Sequence, residues 1–144
     1  MKLRLQYPPT PENAAQHAQI AVDAARKVEG INLDFSPESL ENVNRIVGNF
    51  HSQGKQSDAI QMLTFCFGCY YGEVLVRHHR AIWKMPAETN LPEQLKEDNN
   101  IMYVVFPNGN VLNPIGKAFR LLEDGLGDSL VYSYHVAKTE LINP

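Results

Sequence analysis

The sequence predicts an α+β fold, a helix-rich single domain with a small antiparallel β-sheet, and three observations carry that prediction. Two segments open on a polar residue, a proline and an acid, Thr10-Pro11-Glu12 and Ser36-Pro37-Glu38, which is the chemistry of a helix start. Residues 57–79 carry apolar side chains on every side of a helical wheel, as a helix surrounded by protein does. From residue 81 the pattern changes to short β-branched and aromatic runs divided by Asn108-Gly109, a strong hairpin signal.

Taken in order, residues 1–9 read as an extended arm, and the first helix runs from Thr10 to Gly30. Its face is narrow and alanine-rich (Ala14, Ala15, Ala18, Ala21, Ala25), suited to close packing on a larger helix. The second helix has Ser36 as cap and Leu40, Val43, Val47 and Phe50 at helical spacing before Gly54. Ser57 and Asp58 open a third, central helix that reaches about His79. Gly68 and Gly72 lie one turn apart on it, and the alanine face of the first helix is their expected neighbour, because a bare backbone admits close approach. Strands are expected at Ala81–Met85, Ile101–Phe106 and Asn110–Leu112, as a hairpin or β-meander, with a polar loop from Pro86 to Asn100. Asn113-Pro114 starts a fourth helix that stops near Gly125, and Asp128 or Ser129 caps a fifth, Leu130 to Lys138, with a strand as the alternative there. No repeat or linker-like run divides the chain, so residues 1–144 are expected to form one domain.

Composition narrows the function. With 44% hydrophobic and 20% charged residues the chain has the balance of a globular protein. A net charge of -3 offers no positive field for phosphates, so nucleic acid is not an expected partner. The amino terminus lacks a secretory pattern, and the most apolar window, Met62 to Val76, is shorter than a bilayer span and contains Glu73. A cytoplasmic protein with no membrane association is therefore expected. Its two cysteines, Cys66 and Cys69, suit a reducing compartment.

Those cysteines have the spacing of a redox pair, but they fall mid-helix in an apolar run, where thiols act as small hydrophobes. With His78 and His79 they could make four zinc ligands, yet both histidines lie roughly 13 Å or more along the axis from Cys69. No metal or cofactor is expected. Glu73 is the most informative residue, because an acid in Tyr-Tyr-Gly-Glu-Val-Leu-Val must find a partner or be neutral. Arg77 follows at the favourable four-residue spacing. The expected role of Glu73 and Arg77 is a structural core pair, supported by the hydroxyls of Tyr70 or Tyr71. The competing role is catalytic, with Glu73 as acid or base and Arg77, Trp83, His78 or His79 beside it.

The pieces Ser36-Pro37-Glu38-Ser39-Leu40, Phe67-Gly68, Tyr71-Gly72-Glu73-Val74-Leu75-Val76-Arg77, Trp83, Asn113-Pro114 with Lys117, and Gly127-Asp128-Ser129-Leu130 stand in a telling order. Together they resemble, over roughly residues 33 to 138, a family of small bacterial proteins described as a domain of unknown function. The Gly-Glu-Val-Leu-Val-Arg stretch is the most specific part. The resemblance implies a bacterial cytosolic protein of helix-rich α+β fold and carries over no catalytic residue. The expected function is protein binding, as in an immunity or antitoxin-like protein that blocks a toxin domain, with Glu88, Glu93, Glu97 and Asp98 meeting a basic surface. A small enzyme using Glu73 and Arg77, and a homodimeric accessory protein, are the alternatives.

Overall fold

The computed structural model describes residues 4–92 and 101–144. Among them the chain forms an α+β domain of five α-helices and a three-stranded antiparallel sheet. A 3-10 turn at Pro11–Asn13 leads into α1 (Ala14–Ala24), which widens into a π-helical turn at Ala25–Glu29 and closes on Gly30 in the left-handed region, φ 67°. Thr10 does not cap this helix with its side chain; its hydroxyl instead accepts the Asn13 amide at 3.1 Å. The other starts behave as their residues dictate. Ser36 Oγ accepts from Ser39 N ahead of α2 (Leu40–Ser52), and Ser57 Oγ accepts from Ile60 N at the head of α3 (Asp58–His79).

The strands β1 (Ile82–Lys84), β2 (Tyr103–Val105) and β3 (Val111–Leu112) form a meander in the order β1-β2-β3. Asn108-Gly109 makes the β2–β3 turn, with Gly109 at φ 90° and Phe106 N–H donating to the Asn110 carbonyl at 2.8 Å. Asn113 Oδ1 caps α4 (Pro114–Asp124), and Ser129 Oγ caps α5 (Leu130–Ala137), whose buried face is Leu130, Tyr134 and Ala137. A 3-10 turn occupies Pro86–Glu88 within the segment expected to be loop.

Helix α3 is the centre: every residue from Thr64 to Leu75 is buried. By length and composition its 22 residues could cross a membrane, and 67% of its apolar window lies buried inside the protein. Helix α1, with the turn that continues it, covers one side of it with Ala14, Ala18, Ala21 and Ala25, all 1% exposed or less. The glycines face elsewhere, which corrects the expected pairing. A Cβ at Gly68 would stand 2.5 Å from the Ile115 Cα, and one at Gly72 would overlap the Trp83 ring. Their neighbours are thus α4 and the sheet rather than α1. The inner row of the sheet, Trp83, Val104 and Leu112, is buried against this side, while Ile82 on the outer row is 61% exposed. Asn44 joins the ends of the chain: its Nδ2 donates to Ser129 Oγ at 2.8 Å and its Oδ1 accepts from Leu130 N at 2.7 Å, docking α2 on α5.

Candidate functional site

The close approach of Trp83 to the Gly72 backbone decides the environment of Glu73. With the ring pressed on bare helix, the indole N–H donates to Glu73 Oε2 at 2.9 Å. Glu73 is 7% exposed, so this bond replaces water for a carboxylate oxygen that would otherwise be desolvated without compensation. Arg77 Nη2 stands 3.9 Å from Glu73 Oε1, an ion pair without hydrogen-bond contact. The tyrosines do other work, contrary to expectation. Tyr70 OH accepts from Phe35 N at 2.8 Å and bonds Ser39 Oγ, and Tyr71 OH bonds Ser133 Oγ at 2.8 Å. Both hydroxyls lie at the far ends of rings that tie α3 to its flanking segments, away from the carboxylate. Burial pushes the Tyr71 phenol well up, so it serves as a neutral hydrogen-bonding group.

Around Arg77 the arrangement is more organised than the sequence suggested. Its guanidinium carbon lies 3.5 Å from the centre of the Phe35 ring, and the opposite side of that ring stacks on Tyr70 with centroids 4.6 Å apart. Phe35 holds a left-handed conformation, φ 62°, that side chains with a Cβ avoid. Both of its backbone polar groups are clamped: Tyr70 OH takes its N–H, and His78 Nε2 donates to its carbonyl at 2.8 Å. His79 turns the other way, to Tyr134 OH at 2.6 Å, and burial lowers its proton affinity. Neither histidine reaches Glu73. The lone tryptophan, an indole needing an acceptor ten residues beyond an orphan acid, was the signal that could have named the Glu73 partner.

The remaining sequence candidates are dispersed. Cys66 and Cys69 are buried free thiols; burial pushes Cys66 up to about 12, and burial raises Cys69 as well, with the nearby Glu73 acting in the same direction. Neither is a nucleophile at neutral pH. Among the described residues no three His, Cys, Asp or Glu side chains gather as a metal site. Glu88 is exposed, with Oε1 accepting from Met85 N at 3.0 Å, while Glu93, Glu97 and Asp98 lie outside the described residues.

Two features were not anticipated. His17 is fully buried under the amino-terminal arm, its Nε2–H donating to the Pro8 carbonyl at 3.1 Å, and its Nδ1 finds no partner among the described residues. The other is a cleft of about 250 Å³ where β3, α4 and α5 meet. Leu112, Val136 and Leu141 give it an apolar lining, Lys117 and Asp128 supply opposite charges, and Tyr132 stands in its wall 68% exposed. The Ser133 hydroxyl in this wall is fixed from behind by Tyr71. An exposed tyrosine at odds with its helix's buried face was the available sequence signal.

Comparison with known proteins finds no matching family model, no matching curated protein and no matching solved structure, so the likeness to a bacterial family rests on the quoted motifs alone.

Proposed function

We propose that this chain is a protein-binding module of the bacterial cytosol, of the immunity or antitoxin-like kind, and that the cleft between α4 and α5 receives a side chain of its partner. The observation that carries this reading is the cleft itself, an apolar hollow of about 250 Å³ with Tyr132 standing 68% exposed at its side. Tyrosine is a favoured anchor of protein interfaces, since it offers large contact area and a hydroxyl at low entropic cost. Asp128 and Glu140 outnumber Lys117 in the lining, so the cleft is mildly negative, in keeping with the chain's net charge of -3. The partner segment these features fit carries an apolar side chain next to a lysine or arginine.

Site-specific photocrosslinking tests the reading. A crosslinker at position 132 is expected to capture a partner through a basic, apolar segment, while one at Val28, more open still at 76% exposure, captures nothing. Equal yields from both positions would remove the reading, and capture of a second copy of this chain would replace it by homo-association. The enzyme alternative draws its support from the half-exposed Arg77, whose side chain is 47% accessible. It must also account for a Glu73 oxygen already engaged by Trp83. A Glu73→Gln variant with unchanged partner binding separates the two.

A further inference from the structure

Arg77 is held in place by more groups than an ordinary surface arginine. The Phe35 ring supports one face of its guanidinium at 3.5 Å, and the Glu73 carboxylate stands 3.9 Å behind it, itself anchored by the Trp83 indole. The ring is in turn fixed by Tyr70 stacked beneath it and by two hydrogen bonds to a strained backbone. Backbone strain of this type persists only where surrounding contacts impose it, and it concentrates at recognition sites. Yet none of the N–H groups of Arg77 hydrogen-bonds a described residue, and nearly half of the side chain is open to solvent. The long side chain has thus been ordered in advance while its directional donors stay available, the arrangement that lowers the entropic penalty of binding.

We propose that Arg77 is a carboxylate-recognition site, in which a guanidinium fixed between Phe35 and Glu73 offers its planar N–H fork to the carboxylate of a ligand. The fork matches two carboxylate oxygens bidentately. Charge selects this class over a phosphate dianion. Glu73 and Asp34, the latter next to Phe35 in the chain, offset the charges of Arg77 and the exposed Arg80, so no surplus positive charge is left to hold a dianion, while the planar fork still matches a singly charged carboxylate. The proposal is independent of the α4–α5 cleft and stands whether or not that cleft receives a partner.

The test is a titration of the intact protein, labelled at arginine, followed through the Nε–H resonances. Acetate is one probe, N-acetylglycine, whose carboxylate ends a peptide unit, is the second, and orthophosphate is the third, all at constant ionic strength set with chloride. Arg26, already paired with Asp23 at 3.2 Å, and Arg45, bonded to Asn42, serve as internal references. The expected result is a saturable shift at Arg77 with acetate, at a concentration about tenfold below any seen at the references. That saturation weakens several-fold in Phe35→Leu, which removes the supporting ring. Tighter saturation by N-acetylglycine would identify a peptide terminus as the source, and equal saturation a free carboxylate. A linear shift shared with Arg26 and Arg45 would overturn the proposal, as would orthophosphate saturating before acetate.

Discussion

The two sides of α3 solve the same packing problem in opposite ways. Toward α1 the small residues belong to the neighbour: Ala14, Ala18, Ala21 and Ala25 let that helix settle on bulky α3 side chains such as Phe65, which also meets the His17 ring edge-on at 5.0 Å. Toward α4 and the sheet the small residues belong to α3 itself, where Gly68 and Gly72 receive Ile115, Pro114 and Trp83. In each interface small meets large, so facing surfaces interdigitate at the density of a protein interior. A glycine stripe placed against an alanine stripe would have left a gap between two flat backbones. Complementarity of volume, rather than similarity of size, is what pairs the surfaces.

The difference between the two sides can be broken by substitution. Gly72→Ala should have the largest effect, about 3 kcal/mol, because the new methyl overlaps a rigid indole that is also bonded to Glu73. A fall in the denaturant midpoint at unchanged slope measures it. Trp83→Phe should cost about 2–3 kcal/mol by leaving a buried carboxylate oxygen without its donor, and combining it with Gly72→Ala should cost less than the sum, since both act on one contact. Gly68→Ala should cost about 2 kcal/mol, a helix being freer to shift than an indole. On the opposite side Ala18→Gly should cost about 1–2 kcal/mol through helix propensity and one buried methyl. A larger loss at Ala18 than at Gly72 would reverse the comparison.

The smallest effect is on pH dependence, and it rests on His17 on the α1 side and on His79, which faces Tyr134 of α5. Burial lowers the proton affinity of His17, opposed in part by its bond to the Pro8 carbonyl, and burial lowers that of His79 as well. The unfolded chain therefore takes up these protons first as pH falls. Stability is complete above the ordinary histidine value of 6.5 and is lost as pH drops below it toward the depressed native values. Melting temperature is expected to fall between about pH 7.5 and 5.5, and less steeply in His17→Phe. A melting temperature that rises toward acid would contradict the assignment.

How much of this was legible in the sequence varies with the range of the interaction involved. Ser36, Ser57, Asn113 and Ser129 cap helices through backbone groups three residues away, so their chemistry is local and the sequence displays it. The same holds for Asn108-Gly109 and for the burial of α3 on all sides. Thr10 departs from its expected role, its hydroxyl being taken by the Asn13 side-chain amide three residues on. The partner of Glu73 was harder to read, because Arg77 at four residues is obvious while Trp83 arrives from a strand after a reversal of the chain. The Phe35 support beneath Arg77 was not legible, and of the α4–α5 cleft only Tyr132, off the buried face of its helix, gave a sign. The first joins side chains more than forty residues apart, and the second depends on how consecutive elements fold back on one another, which no local pattern encodes.

Asn44 carries a consequence for the order of assembly. Its side-chain amide is completed by Ser129 and Leu130, residues more than eighty positions later, just as His51 waits for the Leu122 carbonyl and Tyr71 for Ser133. During synthesis, α1, α2 and α3 leave the ribosome with the glycine side of the central helix bare and these polar groups open. Contacts of such high sequence separation form late and slow the final step. Nascent chains ending before α5, which leave these groups without their partners, should be degraded far faster than the finished protein.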